Sequence, residues 1–121
     1  MDELVKAAKS LGDSARVRVL NLLMQRECCV CEVMDVLGVS QVNASRYCTS
    51  LKEAGFLKMH REGRWKHYRV DFDACSPSLR EMLDSVQQTA LHDPVLAEDV
   101  RRLAVCARRS GSCMQESCAH A

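Results

Sequence analysis

Apolar residues recur at helical spacing along most of this chain and alternate in only one stretch. In DELVKAAKS, residues 2–10, Leu4, Ala7 or Ala8, and Leu11 share one face, and Gly12 stops the helix. Asp13 is a good N-cap for a second helix, where Val17, Leu20 and Leu23 or Met24 recur and Arg16 and Arg18 point elsewhere. A third helix is predicted from Val30 or Cys31 to Leu37, ended by Gly38. After a turn at Val39-Ser40, with Ser40 as N-cap, a fourth runs from Gln41 to about Ala54, and Gly55 closes it. Ala44, Cys48 and Leu51 form its buried stripe, which makes Cys48 a core residue. The opposite side carries Gln41, Asn43, Arg46, Tyr47 and Ser50.

The pattern then changes. FLKMHREGRWKHYRV reads as two strands, Phe56–His60 and Trp65–Val70, joined by a turn at Glu62-Gly63 and flanked by Arg61 and Arg64. Trp65 is expected to pack this hairpin against the body. Two further helices follow. Ser78–Leu91 carries Leu79, Leu83, Val86 and Ala90 on one stripe; Asp93-Pro94 starts the last helix, lined by Leu96, Val100 and Leu103. The fold class is therefore mainly α with a β-hairpin wing, a winged helix-turn-helix. The first and the last two helices have more apolar face than a small winged domain needs, which predicts a homodimer.

Composition narrows the function. The chain has 121 residues, 47% hydrophobic and 27% charged, enough for one core. Residues 1–105 are read as the DNA-binding and dimerisation domain, and 106–121 as a flexible tail containing Cys106, Cys113 and Cys118. No run of about 18 apolar residues suggests a membrane span, and MDELVKAAKSLGD lacks the basic-then-apolar order of a signal peptide. A cytoplasmic protein with mostly reduced thiols is expected, with no membrane partner. Net charge is only +1, but Ser40–Val70 holds seven Lys and Arg against two Glu. That basic centre matches the polar face of the fourth helix, whose Gln, Asn and Arg side chains suit base edges. A hairpin with a basic tip suits phosphates or the minor groove. The expected partner is double-stranded operator DNA with two-fold symmetry.

The cysteines carry the remaining chemistry. ECCVCEVM, residues 27–34, places Cys28, Cys29 and Cys31 at the start of the third helix. They can be core, part of a zinc site, a redox centre or a trap for a soft ion. No matching pair of Cys-x₂-Cys motifs marks a structural zinc module. Cys-x-Cys without alternating strands and helices does not suit a dithiol oxidoreductase, so no enzyme is expected.

LGDSARVRVLNLL, SQVNASRYCTSLKEAGFLKMHREGRWKHYRV and ECCVCEV together resemble the ArsR/SmtB family of metalloregulatory repressors, over roughly residues 4–105. The last string is similar to the ELCVCDL box of its arsenic-responsive members. The resemblance implies a homodimeric repressor released from DNA when thiolates bind As(III) or Sb(III), with no organic cofactor. It places Cys29 and Cys31 at the two box cysteines, and Ser45 and Arg46 at the Ser-Arg pair of the recognition helix. Tyr47 stands where histidine is usual. Met34 stands where a third cysteine is often found, and Cys28 is an extra neighbour. Zinc-responsive members carry Asp-x-His and a later His/Glu pair in the helix after the wing. Here that helix has only His92, near its end, which disfavours that zinc site.

Trivalent arsenic takes three sulfur ligands, and soft thiolates select soft ions. A helix N-terminus favours the anionic thiolate. On a regular helix Cys29 and Cys31 lie about 200° apart, so sharing an ion would require the helix start to unwind and would disturb the reading head. Cys28 and Cys31, at i and i+3, would lie on one side. The box, the tail cysteines Cys106, Cys113 and Cys118, or a site shared between them are all open. So is the same repressor answering to cadmium, lead, zinc or thiol oxidation.

Overall fold

The computed structural model describes residues 1–108. Among these described residues, six helices and three strands follow in the order α1 (Asp2–Ser10), α2 (Ser14–Gln25), β1 (Cys28–Cys29), α3 (Val30–Leu37), α4 (Gln41–Glu53), β2 (Leu57–Glu62), β3 (Trp65–Val70), α5 (Pro77–Ala90) and α6 (Pro94–Arg108). The local chemistry fixes the boundaries. The Asp13 carboxylate accepts the Ala15 N–H at 2.8 Å and starts α2. Gly38, at φ +69°, closes α3 in the left-handed conformation that glycine adopts without a Cβ penalty. Two residues later the Ser40 hydroxyl accepts the Asn43 N–H at 3.2 Å and starts α4. This Gly38–Ser40 corner makes the helix-turn-helix.

The sheet is antiparallel with strand order β1-β3-β2. β2 and β3 form the wing, with Glu62 opposite Trp65. The two-residue connection is thus Gly63-Arg64, one residue later than expected. Gly63 supplies the positive φ, +64°, that tight hairpin turns need. β1 is an addition to the expected topology. Its two residues pair with β3, Cys28 opposite Tyr68 and Cys29 opposite His67.

The core lies beneath the reading head. Leu20, Leu22 and Leu23 of α2 meet Val33 and Val36 of α3, and Ala44, Cys48 and Leu51 of α4, all buried. Phe56, fully buried, anchors the approach to β2. α6 is held on by side chains as well as by packing. Arg18 clamps Asp99 through Nε at 2.8 Å and Nη2 at 2.9 Å, and Asp99 is 1% exposed. Arg102 donates to the Val36 carbonyl at 3.2 Å, near the end of α3. Cys106, expected in the tail, instead lies on α6 and is buried, its thiol donating to Asp35 at 2.9 Å. Cys113 and Cys118 lie outside the described residues. Among the described residues no helix is long and apolar enough to cross a membrane.

Candidate functional site

The N-terminus of α3 brings two cysteine sulfurs together. Cys29 is the N-cap residue and is extended, at φ −86° and ψ 166°. Cys31 is inside the first turn. Their sulfurs are 2.7 Å apart, and both residues are buried, at 1% and 6% exposure. The 200° separation expected on one helix does not apply, because Cys29 belongs to β1 rather than to α3. The pair meets without unwinding the helix.

Cys28 is the opposite case. Successive residues of a strand face opposite sides, so Cys28 points into the main core while Cys29 points away from it. Cys29 and Cys31 instead form a small cluster of their own with Trp65. The Cys28 thiol contacts the Arg26 carbonyl at 3.5 Å. Burial, reinforced by the Glu32 carboxylate, pushes it well above the usual thiol range. The expectation that Cys28 and Cys31 share a side is therefore overturned. Glu32 also braces the site: its carboxylate accepts the Cys29 N–H at 3.0 Å and Arg26 Nη2 at 2.5 Å. Burial pushes the Cys48 thiol up to about 12. Cys75, buried in the approach to α5, contacts the Gly55 carbonyl at 3.7 Å.

The other face belongs to α4 and the wing. On α4, Asn43 and Arg46 are exposed, and Gln41, Ser45 and Ser50 are half-buried. Tyr47 is half-buried, like Ser45, and also packs against the core. Two further residues join this surface, Val42 at 63% exposure and Thr49. An exposed valine on a polar helix face suits a thymine methyl. Its apolar side chain is why the polar pattern passed over it. Arg61 and Arg64 are exposed at the end of the wing. Because α3 packs directly on α4, and β1 on β3, the sulfur pair adjoins both parts of this surface.

The family model "Bacterial regulatory protein, arsR family" matches residues 13–58. An arsenic resistance transcriptional regulator of Pseudomonas putida is 33% identical over 107 residues, covering 86% of this chain and 80% of that protein. A cadmium resistance regulatory protein homologue of Staphylococcus aureus is 33% identical over 70 residues, 58% of this chain and 58% of that one. Among solved structures, a homodimeric winged helix-turn-helix DNA-binding domain of Mycobacterium bovis, described as a possible ArsR-family regulator, aligns with a TM-score of 0.62. It is 28% identical, over 77% of this chain and 82% of that one. Wing, reading helix and relatives agree: the chain belongs to the ArsR family of bacterial transcriptional regulators, DNA-binding proteins rather than enzymes.

Proposed function

We propose that this protein is a homodimeric, cytoplasmic repressor that binds operator DNA through α4 and the wing and is released by trivalent arsenic or antimony. Cys29 and Cys31 are two of the three sulfur ligands in this reading. The observation that carries it is the 2.7 Å sulfur pair at the junction of β1 and α3. Charge balance supports a trivalent ligand. Three thiols and neutral As(OH)₃ give a neutral trithiolate and three waters, with no net charge to bury. Three thiolates on a divalent cation leave a negative charge, which is costly among groups this buried. The cadmium-named relative favours a second reading, the same pair answering to a soft divalent cation.

With Cys28 turned into the core, the third sulfur in this proposal comes from Cys113 or Cys118. Drawing it onto Cys29 and Cys31 would pull the β1–α3 corner. The shift would pass to α4 through its packing on α3, so ligand and DNA would favour different conformations. A second copy of the chain would pair through apolar residues that α1 leaves exposed, Leu4 and Val5.

The test is arsenite titration of the protein on fluorescent operator DNA, read by anisotropy, with wild type beside Cys31→Ser and a Cys113→Ser/Cys118→Ser variant. Wild type should release DNA and Cys31→Ser should not; loss of release in the tail variant places the third sulfur there. Equal release by wild type and Cys31→Ser would overturn the reading.

A further inference from the structure

Strand register gives the small sheet two chemically distinct faces. Cys28, Tyr68 and Met59 lie in one cross-strand row, against the core. The next row, on the outer face, runs Cys29, His67, His60. The two imidazoles stack with centroids 5.2 Å apart and ring planes at 12°. Two carboxylates close the ends of this stack. Glu27 approaches His60 Nδ1 at 3.3 Å and His67 Nδ1 at 4.0 Å. Glu62 approaches His60 Nε2 at 3.5 Å and His67 Nε2 at 3.8 Å.

Arg61, Arg64 and Lys66 are close in sequence, yet neither carboxylate has a Lys or Arg ion pair among the described residues; both face the histidines. We propose that Glu27, His60, Glu62 and His67 form a second metal site, an imidazole–carboxylate centre for a borderline divalent cation such as zinc. Nitrogen and oxygen donors suit such an ion, as the sulfur pair suits a softer one. Nearly parallel rings run their lone pairs side by side, and among the described residues no three such groups are preset around one point. Binding therefore turns one ring. His60, 45% exposed at the side chain against 15% for His67, is free to turn towards Glu62 and the anchored His67.

Cobalt(II) tests this, because its spectrum reports the donor atoms. Metal-free, reduced full-length protein is titrated with Co²⁺ beside Cys29→Ser/Cys31→Ser, His60→Asn and His67→Asn. The expected result is visible ligand-field absorption without intense near-ultraviolet thiolate charge transfer, unchanged in the double cysteine variant. Affinity falls about tenfold or more in each histidine variant, as loss of a metal-binding side chain requires. His60 is exposed, so His60→Asn keeps the fold even if His67→Asn does not. A bound cobalt that always carries thiolate charge transfer, no cysteine-independent binding, or unchanged affinity in His60→Asn would overturn the proposal.

Discussion

Replacing Arg46 and Arg64 separately by alanine should weaken DNA binding in two distinguishable ways. Arg46 is exposed in the middle of α4 and Arg64 at the end of the wing. Neither has an acidic ion-pair partner among the described residues, whereas Arg18 and Arg26 do. Their guanidinium groups need not abandon an internal partner to meet DNA, so truncation reports the lost contact. A bidentate contact to guanine discriminates by about 1–3 kcal/mol. A homodimer loses this contact twice, about 2–6 kcal/mol in all, so Arg46→Ala should raise Kd for the operator about 30-fold or more, with a much smaller effect on scrambled DNA. A phosphate contact instead contributes a slope of about −0.9 in log K against log salt. Losing Arg64 from both copies of a dimer should make the slope shallower by about 2, with equal losses on both DNAs. Anisotropy of operator and scrambled duplexes across a salt series reads both quantities. If Arg46→Ala weakens the two DNAs equally, α4 does not read bases through Arg46. If Arg64→Ala leaves the slope unchanged, the wing tip is not on the phosphates.

Ser40→Ala removes the hydroxyl that caps α4 and should cost about 1 kcal/mol in urea unfolding, while Ser40→Asp should retain most of the stability. Arg18→Ala strands the buried Asp99 carboxylate and should cost about 3 kcal/mol or more, an effect that Arg18→Ala/Asp99→Leu should partly relieve. The raised Cys48 and Cys28 thiols predict alkaline sensitivity. Above the ordinary value of 9.0 the unfolded thiols lose protons while the folded ones keep them. Their contribution is thus complete below about pH 9 and is lost as pH rises towards 12, on the order of 1 kcal/mol per pH unit for each thiol. Cys48→Ala should flatten that decline in urea unfolding measured across the alkaline range.

The helices and the wing were legible because each carries its own local signal. Asp13 and Ser40 sit at caps, Gly38 at a left-handed stop, and the buried stripe of α4 follows a 3.6-residue period over three turns. β1 carries no such signal. Two residues cannot display a period, and their pairing with Tyr68 and His67 spans about forty positions of chain. That one omission produced the errors at the thiol site. Assigning Cys29 to the helix set its sulfur on the wrong side of Cys31, and only the strand separates Cys28 from Cys29. Cys106 was misplaced for a different reason: Gly111 and the polar residues around it suggested an earlier helix end, whereas α6 continues and buries the thiol against Asp35. The histidine row needed cross-strand register, which residue types alone do not supply.

Trp65 offers an internal reporter for the thiol pair, and its position makes the prediction sharp. It is the only tryptophan in the chain, and it packs against Cys29 and Cys31 apart from the main core. It is also the first residue of β3, so it joins the thiol pair to the wing. Arsenic held by Cys29 and Cys31 would bring a heavy, polarisable atom against the indole. Arsenite should therefore quench or shift the emission, with an end point of one equivalent per protomer, and Cys31→Ser should abolish the change. The indole is a neighbour and not a ligand, so Trp65→Phe should lose the signal but still release DNA. Release from DNA with unchanged Trp65 emission would mean that the ligand binds elsewhere. A release defect in Trp65→Phe would instead mean that the ring carries the movement from the thiols to the wing.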